Sequence, residues 1–248
     1  MGCNGAMIAV ILVAGMGKRL MPLTKDIPKT LLMIGGNTIL EDIIKKCVSN
    51  SVKKFVIVVG HKKERVVKAC KNLQIENEID FCLVENKKYS ETNTAYSLLL
   101  ALDRVGHVDD VLLINGDDIF DKEILTNLLK TPHTSLAIDN IKELDNESFK
   151  IDLDRSIIKD MGKELDIKKS SGEFIGISKI ANEDIALLKK ILIKLIKSNL
   201  QQYYDIAFKE LSKETSLDFV YTNGLKWTEV DTYNDLDYAK KLIVELVD

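Results

Sequence analysis

The sequence predicts an α/β fold: a single mixed, mostly parallel sheet sandwiched by helices. Three observations carry that expectation. Short apolar runs alternate with amphipathic segments in the order β-α-β-α-β-α-β over the first half of the chain, which argues for parallel strands with helical crossovers. The chain has 248 residues, of which 46% are hydrophobic, enough to build a core without disulfides or a structural metal. No internal repeat, low-complexity tract or Pro/Gly/Ser linker divides it. At roughly 150 residues per domain, a single domain over the whole chain is the economical expectation.

Each element has a local reason. Ile8-Ala9-Val10-Ile11-Leu12-Val13 is a continuous apolar run and reads as a buried parallel strand. A loop bearing glycines and lysines follows, up to about Lys29. Thr38-x-x-Glu41 is a capping box opening a helix with Ile39, Ile43, Ile44 and Cys47 on one face. Residues 55–59 form the second strand, stopped by Gly60. A helix over about 62–72, a strand over about 79–84 and a helix over 94–105 come next. The fourth strand, 111–114, ends in Asn115-Gly116-Asp117-Asp118. Further strands are expected at 135–138, 149–153, 173–178 and 217–221, some of them antiparallel. Helices are expected at 184–197 and 201–212. Ile185, Leu188, Ile191, Leu192, Leu195 and Ile196 follow the helical period and suit a core rather than a membrane. Thr232-x-x-Asp235 caps the last helix.

Composition removes several function classes. The formal charge of −3 lacks the basic excess of a nucleic-acid binder. Cys3, Cys47, Cys70 and Cys82 contain no C-x-x-C pair, which argues against a zinc or dithiol site. The apolar run from Ile8 to Ala14 falls far short of the about 20 residues that span a bilayer. With no signal-peptide pattern, the expectation is a cytoplasmic protein with neither nucleic acid nor membrane as partner. His61, His107 and His133 are isolated and no G-x-S-x-G elbow exists, so nucleophilic hydrolysis has no support.

The chemistry concentrates after the first strand. Gly15 and Gly17 allow close backbone approach to a ligand, and Lys18, Arg19 and Lys29 add three cations to one loop. That combination suits a polyphosphate. It is neither a Walker loop nor a dinucleotide fingerprint, since Leu20 stands where the third glycine belongs. Asp117 and Asp231 each lie just past a predicted strand, where α/β sheets place ligands. Two such carboxylates suit Mg²⁺, a hard cation that bridges phosphates. Asp118 reads as solvated or as a supporting group.

The whole string is more specific than its parts. Gly-x-Gly-x-Arg-Leu from Gly15 to Leu20, then Pro22-Leu23-Thr24 and Pro28-Lys29, resembles the signature of the GT-A-like nucleotidyltransferases. The resemblance runs on through 35–40, Val58-Val59-Gly60-His61, Ile114-Asn115-Gly116-Asp117, 172–176 and Trp227-Thr228-Glu229-Val230-Asp231-Thr232. It implies a nucleotide-diphospho-sugar transferase-like, Rossmann-like fold. Residues of about 7–120 would form the NTP-binding half and about 121–248 the acceptor-side half. Lys18, Arg19 and Lys29 would be catalytic, and Asp117 and Asp231 would hold Mg²⁺. Leu12, Ala14, Gly15, Gly17, Gly60, Asn93 and Ser97 would line the nucleotide. Lys163, Glu173, Tyr204 and Asp205 would face the acceptor.

Asn93-x-x-Tyr96-Ser97 resembles the short cytidylyltransferases that activate phosphocholine, 2-aminoethylphosphonate or inositol phosphate. The implied activity is Mg²⁺-dependent transfer of a nucleoside monophosphate, CMP from CTP, to a phosphorylated small alcohol or phosphonate, releasing pyrophosphate. A sugar-1-phosphate enzyme using UTP, GTP or dTTP stays open at this point. So do a catalytically silent nucleotide-binding subunit and, at the level of fold alone, a dinucleotide oxidoreductase. A homodimer is compatible with all of these.

Overall fold

A computed structural model describes residues 7–106, 109–154 and 157–246, with the side chains of 75–77 left out. Cys3 and His107, named above, lie outside the described residues.

In chain order the elements are β1 (Met7–Val13), β2 (Met33–Ile34), β3 (Asn37–Thr38), α1 (Ile39–Ser49), β4 (Lys54–Val59), α2 (Lys63–Asn77) and β5 (Asp80–Glu85). Then come α3 (Thr94–Leu102), β6 (Asp110–Asn115), β7 (Asp118–Phe120), α4 (Lys122–Leu128), β8 (Ser135–Asp139), β9 (Lys150–Asp154) and β10 (Ile157–Gly162). The chain continues with β11 (Gly172–Ile180), α5 (Asn182–Ser198), α6 (Asp205–Leu211), β12 (Asp218–Tyr221), β13 (Trp227–Glu229) and α7 (Tyr233–Glu245).

The main sheet runs β10-β9-β11-β6-β1-β4-β5, and β8 joins β12 to it through β11. The stretch β6-β1-β4-β5 is wholly parallel, with Ile8–Val13 in register with Lys54–Val59. In the main sheet every antiparallel pairing involves a strand from the second half of the chain, β11 joining the parallel stretch by pairing with β6. β1 shows why the run is apolar on every residue. Ala9, Ile11 and Val13 enter one core with α1, α2, α4 and α7. Ile8, Val10, Leu12 and Ala14 enter the other with α3, α5 and α6. A period of two therefore feeds both faces of one buried strand.

Both capping boxes form. Thr38 and Glu41 close the start of α1, and Thr232 and Asp235 close the start of α7. Leu188 and Leu192 of α5 are buried, so its apolar stripe packs against the fold. Among the described residues no helix is long and apolar enough to cross a membrane.

The differences from the sequence expectation have physical causes. The expected helix over 201–212 begins only at Asp205, because the preceding backbone is spent on another helix. Leu200 and Gln202 offer their carbonyls to the N–H groups of Asn93 and Ala95, and Tyr204 N–H donates to the Thr94 hydroxyl at 3.1 Å. The two carbonyls satisfy N–H groups that the start of α3 leaves free, and the third contact spends the Tyr204 N–H on the same turn. The strands β7 and β13 are three residues each and pair only with one another, too short for an alternation to show. The helix α4 and the strand β10 were also not expected from the sequence.

Candidate active site

The C-terminal ends of β1, β4, β5 and β6 meet at one edge of the sheet, the place where parallel strands offer ligands a crevice. A cleft of about 640 Å³ opens there. Its floor depends on one close approach. Gly116 N–H donates to the Leu12 carbonyl at 3.0 Å, and a Cβ on Gly116 would lie 2.7 Å from that oxygen. Asp117 follows at the strand end and bonds through its carbonyl to Val230 N–H at 3.0 Å. Asp231 is thereby drawn beside Asp117 from the far end of the chain. Its own N–H is held by Asp235, the acid of the α7 capping box, at 3.1 Å.

The glycine loop closes over this pair. Gly17 adopts a left-handed φ of 58°, and its carbonyl accepts from the Thr24 hydroxyl at 2.7 Å. The loop folds back until the Lys29 ammonium bridges the carboxylates of Asp117 and Asp231, the latter at 2.7 Å. Arg19 reaches the second oxygen of Asp231 at 2.6 Å. Lys29 is only 16% exposed in its side chain. Burial alone would lower its pKa, but the two aspartates outweigh burial and the net shift is upward. Burial would likewise raise Asp231, yet Lys29 and Arg19 hold it below the usual carboxylate range. The site is therefore a preformed charge network, with two anions and two cations in contact.

Asp118 is the exception. It was expected to be solvated or a supporting group; it is 1% exposed, so it is not solvated, and neither carboxylate oxygen has a hydrogen-bond partner among the described residues. Burial first, then the charges of Asp117 and Glu229, push it well above the usual range. Its place follows from the β7–β13 pairing, which sets Asp118 opposite Glu229. Glu229 is itself raised, by desolvation and then by Asp117, Asp231 and Glu173.

The opposite wall is aromatic and polar. Tyr204 is buried, and its hydroxyl shares its one hydrogen between Asn115 Oδ1 at 3.0 Å and the Gly176 carbonyl at 3.2 Å. Phe174 packs edge-on against Tyr204 and Phe208. Lys163 pairs with Glu147 at 3.1 Å and Glu173 with Lys142 at 3.1 Å. Asp205 lines the cleft and makes no ion pair among the described residues. Burial pushes it up to about 7, with Lys163 opposing.

The family described as nucleotidyl transferase matches residues 8–140, which hold the glycine loop, Lys29 and Asp117. The chain belongs to that family. A bifunctional IPC transferase and DIPP synthase of Aquifex aeolicus is 31% identical over 240 residues, covering 96% of this chain and 52% of that protein. A bifunctional protein GlmU of Methanococcus aeolicus is 33% identical over 234 residues, covering 93% of this chain and 53% of its own. The chain thus spans about half the length of the curated relatives it matches. The solved structure of the inositol-1-phosphate CTP transferase from T. maritima superposes with a TM-score of 0.82 at 21% identity, over 99% of this chain and 98% of that one. The architecture is therefore the nucleotide-diphospho-sugar transferase-like, Rossmann-like fold.

The structure gathers most of the family's expected positions into one place. Leu12, Ala14, Gly15, Gly17, Asn93 and Ser97 line the cleft, as do Arg19, Lys29, Asp117, Asp231, Lys163, Glu173, Tyr204 and Asp205. Lys18 and Gly60 do not. Lys18 is exposed. Gly60 packs behind the wall, where a Cβ would lie 2.7 Å from both the Ala14 carbonyl and Tyr89 Cβ. Sequence reasoning missed Asn115, Glu229 and Asn86 as site residues, although all three line the cleft. Asn115 and Glu229 belong to the strings Ile114-Asn115-Gly116-Asp117 and Trp227-Thr228-Glu229-Val230-Asp231-Thr232, so the family motif carries the signal for both. Asn86 sits in Glu85-Asn86-Lys87-Lys88, which reads as an ordinary turn.

Proposed function

We propose that this chain transfers a nucleoside monophosphate from an NTP, CTP first among them, to a small phosphorylated alcohol or phosphonate, with release of pyrophosphate. The observation that carries the reading is the Lys29 ammonium seated between Asp117 and Asp231 beneath the glycine loop. Carboxylates that converge on one positive charge also fit a hard divalent cation, and Mg²⁺ takes one or two carboxylates with the rest from substrate phosphates and water. When bound, Mg²⁺ supplies charge neutralisation at the phosphates.

The chain's own residues do the positioning. An anionic oxygen of the acceptor forms a bond to the α-phosphorus, and the bond from that phosphorus to the bridging oxygen breaks, so pyrophosphate leaves with the electron pair. The nucleophile is already ionised, so no general base is needed. Lys29 faces the α-phosphate or the acceptor phosphate and stabilises charge there. Arg19 orients and neutralises the β- and γ-phosphates. The backbone of Leu12, Ala14 and Gly15 walls the base and ribose.

The nucleotide is the less constrained half of the proposal. The segment Asn93 to Ser97 favours CTP, as does the name of the T. maritima neighbour, whereas the name of the GlmU relative specifies no nucleotide. Pyrophosphate release decides it. Four NTPs crossed with phosphocholine, 2-aminoethylphosphonate, inositol phosphates and hexose-1-phosphates should give turnover with CTP and a non-sugar acceptor. Turnover only with another NTP and a hexose-1-phosphate would keep the mechanism and overturn the substrate assignment. NTP binding without turnover on any pair would favour the silent nucleotide-binding subunit.

Asp205 adds a pH test of the acceptor. Its pKa in the fold, about 7, lies above the reference value of 3.8. The folded chain therefore binds an extra proton between those values, and Asp205 makes stability fall as pH rises through that window. An ammonium-bearing acceptor favours the ionised form, so its KM should fall as pH rises through about 7. Asp205→Asn should abolish that step. A KM that is flat across this range in the wild type would separate Asp205 from the acceptor.

A further inference from the structure

Beneath the nucleotide side of the cleft lies a buried polar layer whose hydrogen-bond directions are fixed by the backbone groups of Lys88. Asn86 is 1% exposed. Its Oδ1 accepts from Lys88 N–H at 2.9 Å, and a backbone N–H can only donate. The amide orientation is therefore fixed, and Nδ2 is the donor. Its hydrogens go to the Thr92 hydroxyl at 3.0 Å and the Ser97 hydroxyl at 3.1 Å. Thr92 in turn donates to the Lys88 carbonyl at 2.8 Å, which can only accept. Ser97 is left with its own hydrogen and no acceptor for it in the layer, while lining the cleft.

We infer that Asn86 is a specificity-determining residue that commits Ser97 to donate its hydrogen to the nucleotide base. The inference rests on the nucleotidyl-transfer reading above and deepens it. A base that presents an unprotonated ring nitrogen to Ser97 satisfies that hydrogen. Cytosine does so at N3. Uracil carries N3–H there, so the hydroxyl meets a donor and its hydrogen must turn aside to a flanking carbonyl oxygen in poorer geometry or go unmet, and an unmet buried donor is costly. Asn86 does not touch the base in this scheme. It acts through Ser97, and Lys88 locks the direction from behind.

The test inverts the polarity without changing shape. Asn86→Asp keeps the acceptor for Lys88 N–H but removes both donors. The Ser97 hydrogen then turns inward to the new carboxylate, and only lone pairs face the base. Dissociation constants for CTP and for UTP, measured by calorimetry at pH 8 with Mg²⁺, read this directly without an acceptor substrate. In the wild type CTP should bind more tightly. In Asn86→Asp the CTP-over-UTP ratio should fall by about 10-fold, through weaker CTP binding and stronger UTP binding. Ser97→Ala, which leaves Asn86 in place, should collapse the ratio toward one.

A merely structural role would weaken both nucleotides together and leave the ratio intact in both variants, and that result overturns the inference while the transfer reading stands. A wild type that binds neither nucleotide, or that prefers UTP, removes the cytidine reading and this inference with it. Should Asn86→Asp fail to fold, the Ser97→Ala ratio alone decides.

Discussion

Replacing Lys29 by alanine is expected to lower turnover by about 10²–10³-fold, the scale of losing one preorganised electrostatic group at a reacting centre. The side chain is nearly enclosed, and its ammonium is the common partner of Asp117 and Asp231. Removing it does two things. It takes away the cation that the proposed reaction places at the α-phosphate or the acceptor phosphate. It also leaves two carboxylates facing each other with only Arg19 to offset Asp231. Asp231→Asn should cost a similar factor, since it weakens both cation contacts at once. The double variant should lose far less than the product of the two single losses, because residues of one network are not independent. Thermal unfolding should show both single variants folded. Activity within a few-fold of wild type in either one would remove that residue from the reacting centre.

The pairing also explains why this site can be assembled from distant sequence. Lys29, Asp117 and Asp231 are separated by 88 and 202 positions, yet each sits at a defined joint. Lys29 ends the glycine loop after β1, Asp117 ends β6, and Asp231 lies between β13 and the capping box of α7. A crevice at the strand ends collects all three because β1 and β6 are neighbours.

Much of that was legible in the residues. The continuous apolar runs gave β1, β4 and β6, because strands buried on both faces need no alternation. The two capping boxes gave the starts of α1 and α7, because the cap and the acid three residues later are local chemistry. The cations of the loop and the acids after two strands gave the charged half of the site. What could not be read was whatever depends on contacts across the chain. Asp118 reads as solvated or as a supporting group, and only the β7–β13 pairing buries it. Gln201 to Tyr204 have helical composition, but capping α3 takes their backbone. Asn86 looks like a turn residue until Lys88, Thr92 and Ser97 are seen around it. Gly60 matched the family motif, but it serves as the thin place behind Ala14 and Tyr89.

Gly176→Ala should destabilise the fold by about 3 kcal/mol, from strain and overpacking together. Gly176 sits in β11 with φ of 78°, a conformation that costs an L-residue energy before any contact is counted. The added Cβ would also fall 2.3 Å from Asn115 Nδ2 and 3.2 Å from Asp118 Oδ2. Asn115 cannot simply swing away, because its Oδ1 accepts from the buried Tyr204 hydroxyl, which also bonds the Gly176 carbonyl. The methyl group therefore presses on the strand end that leads into Asp117. Urea unfolding should show a lower midpoint with an unchanged slope. At a temperature where the variant is still folded, its kcat should fall while NTP binding holds, since the displaced groups lie at the carboxylate end of the cleft. A variant with wild-type stability would mean that β11 relaxes around the methyl, and that the close approach of Gly176 to Asn115 is not what holds this wall.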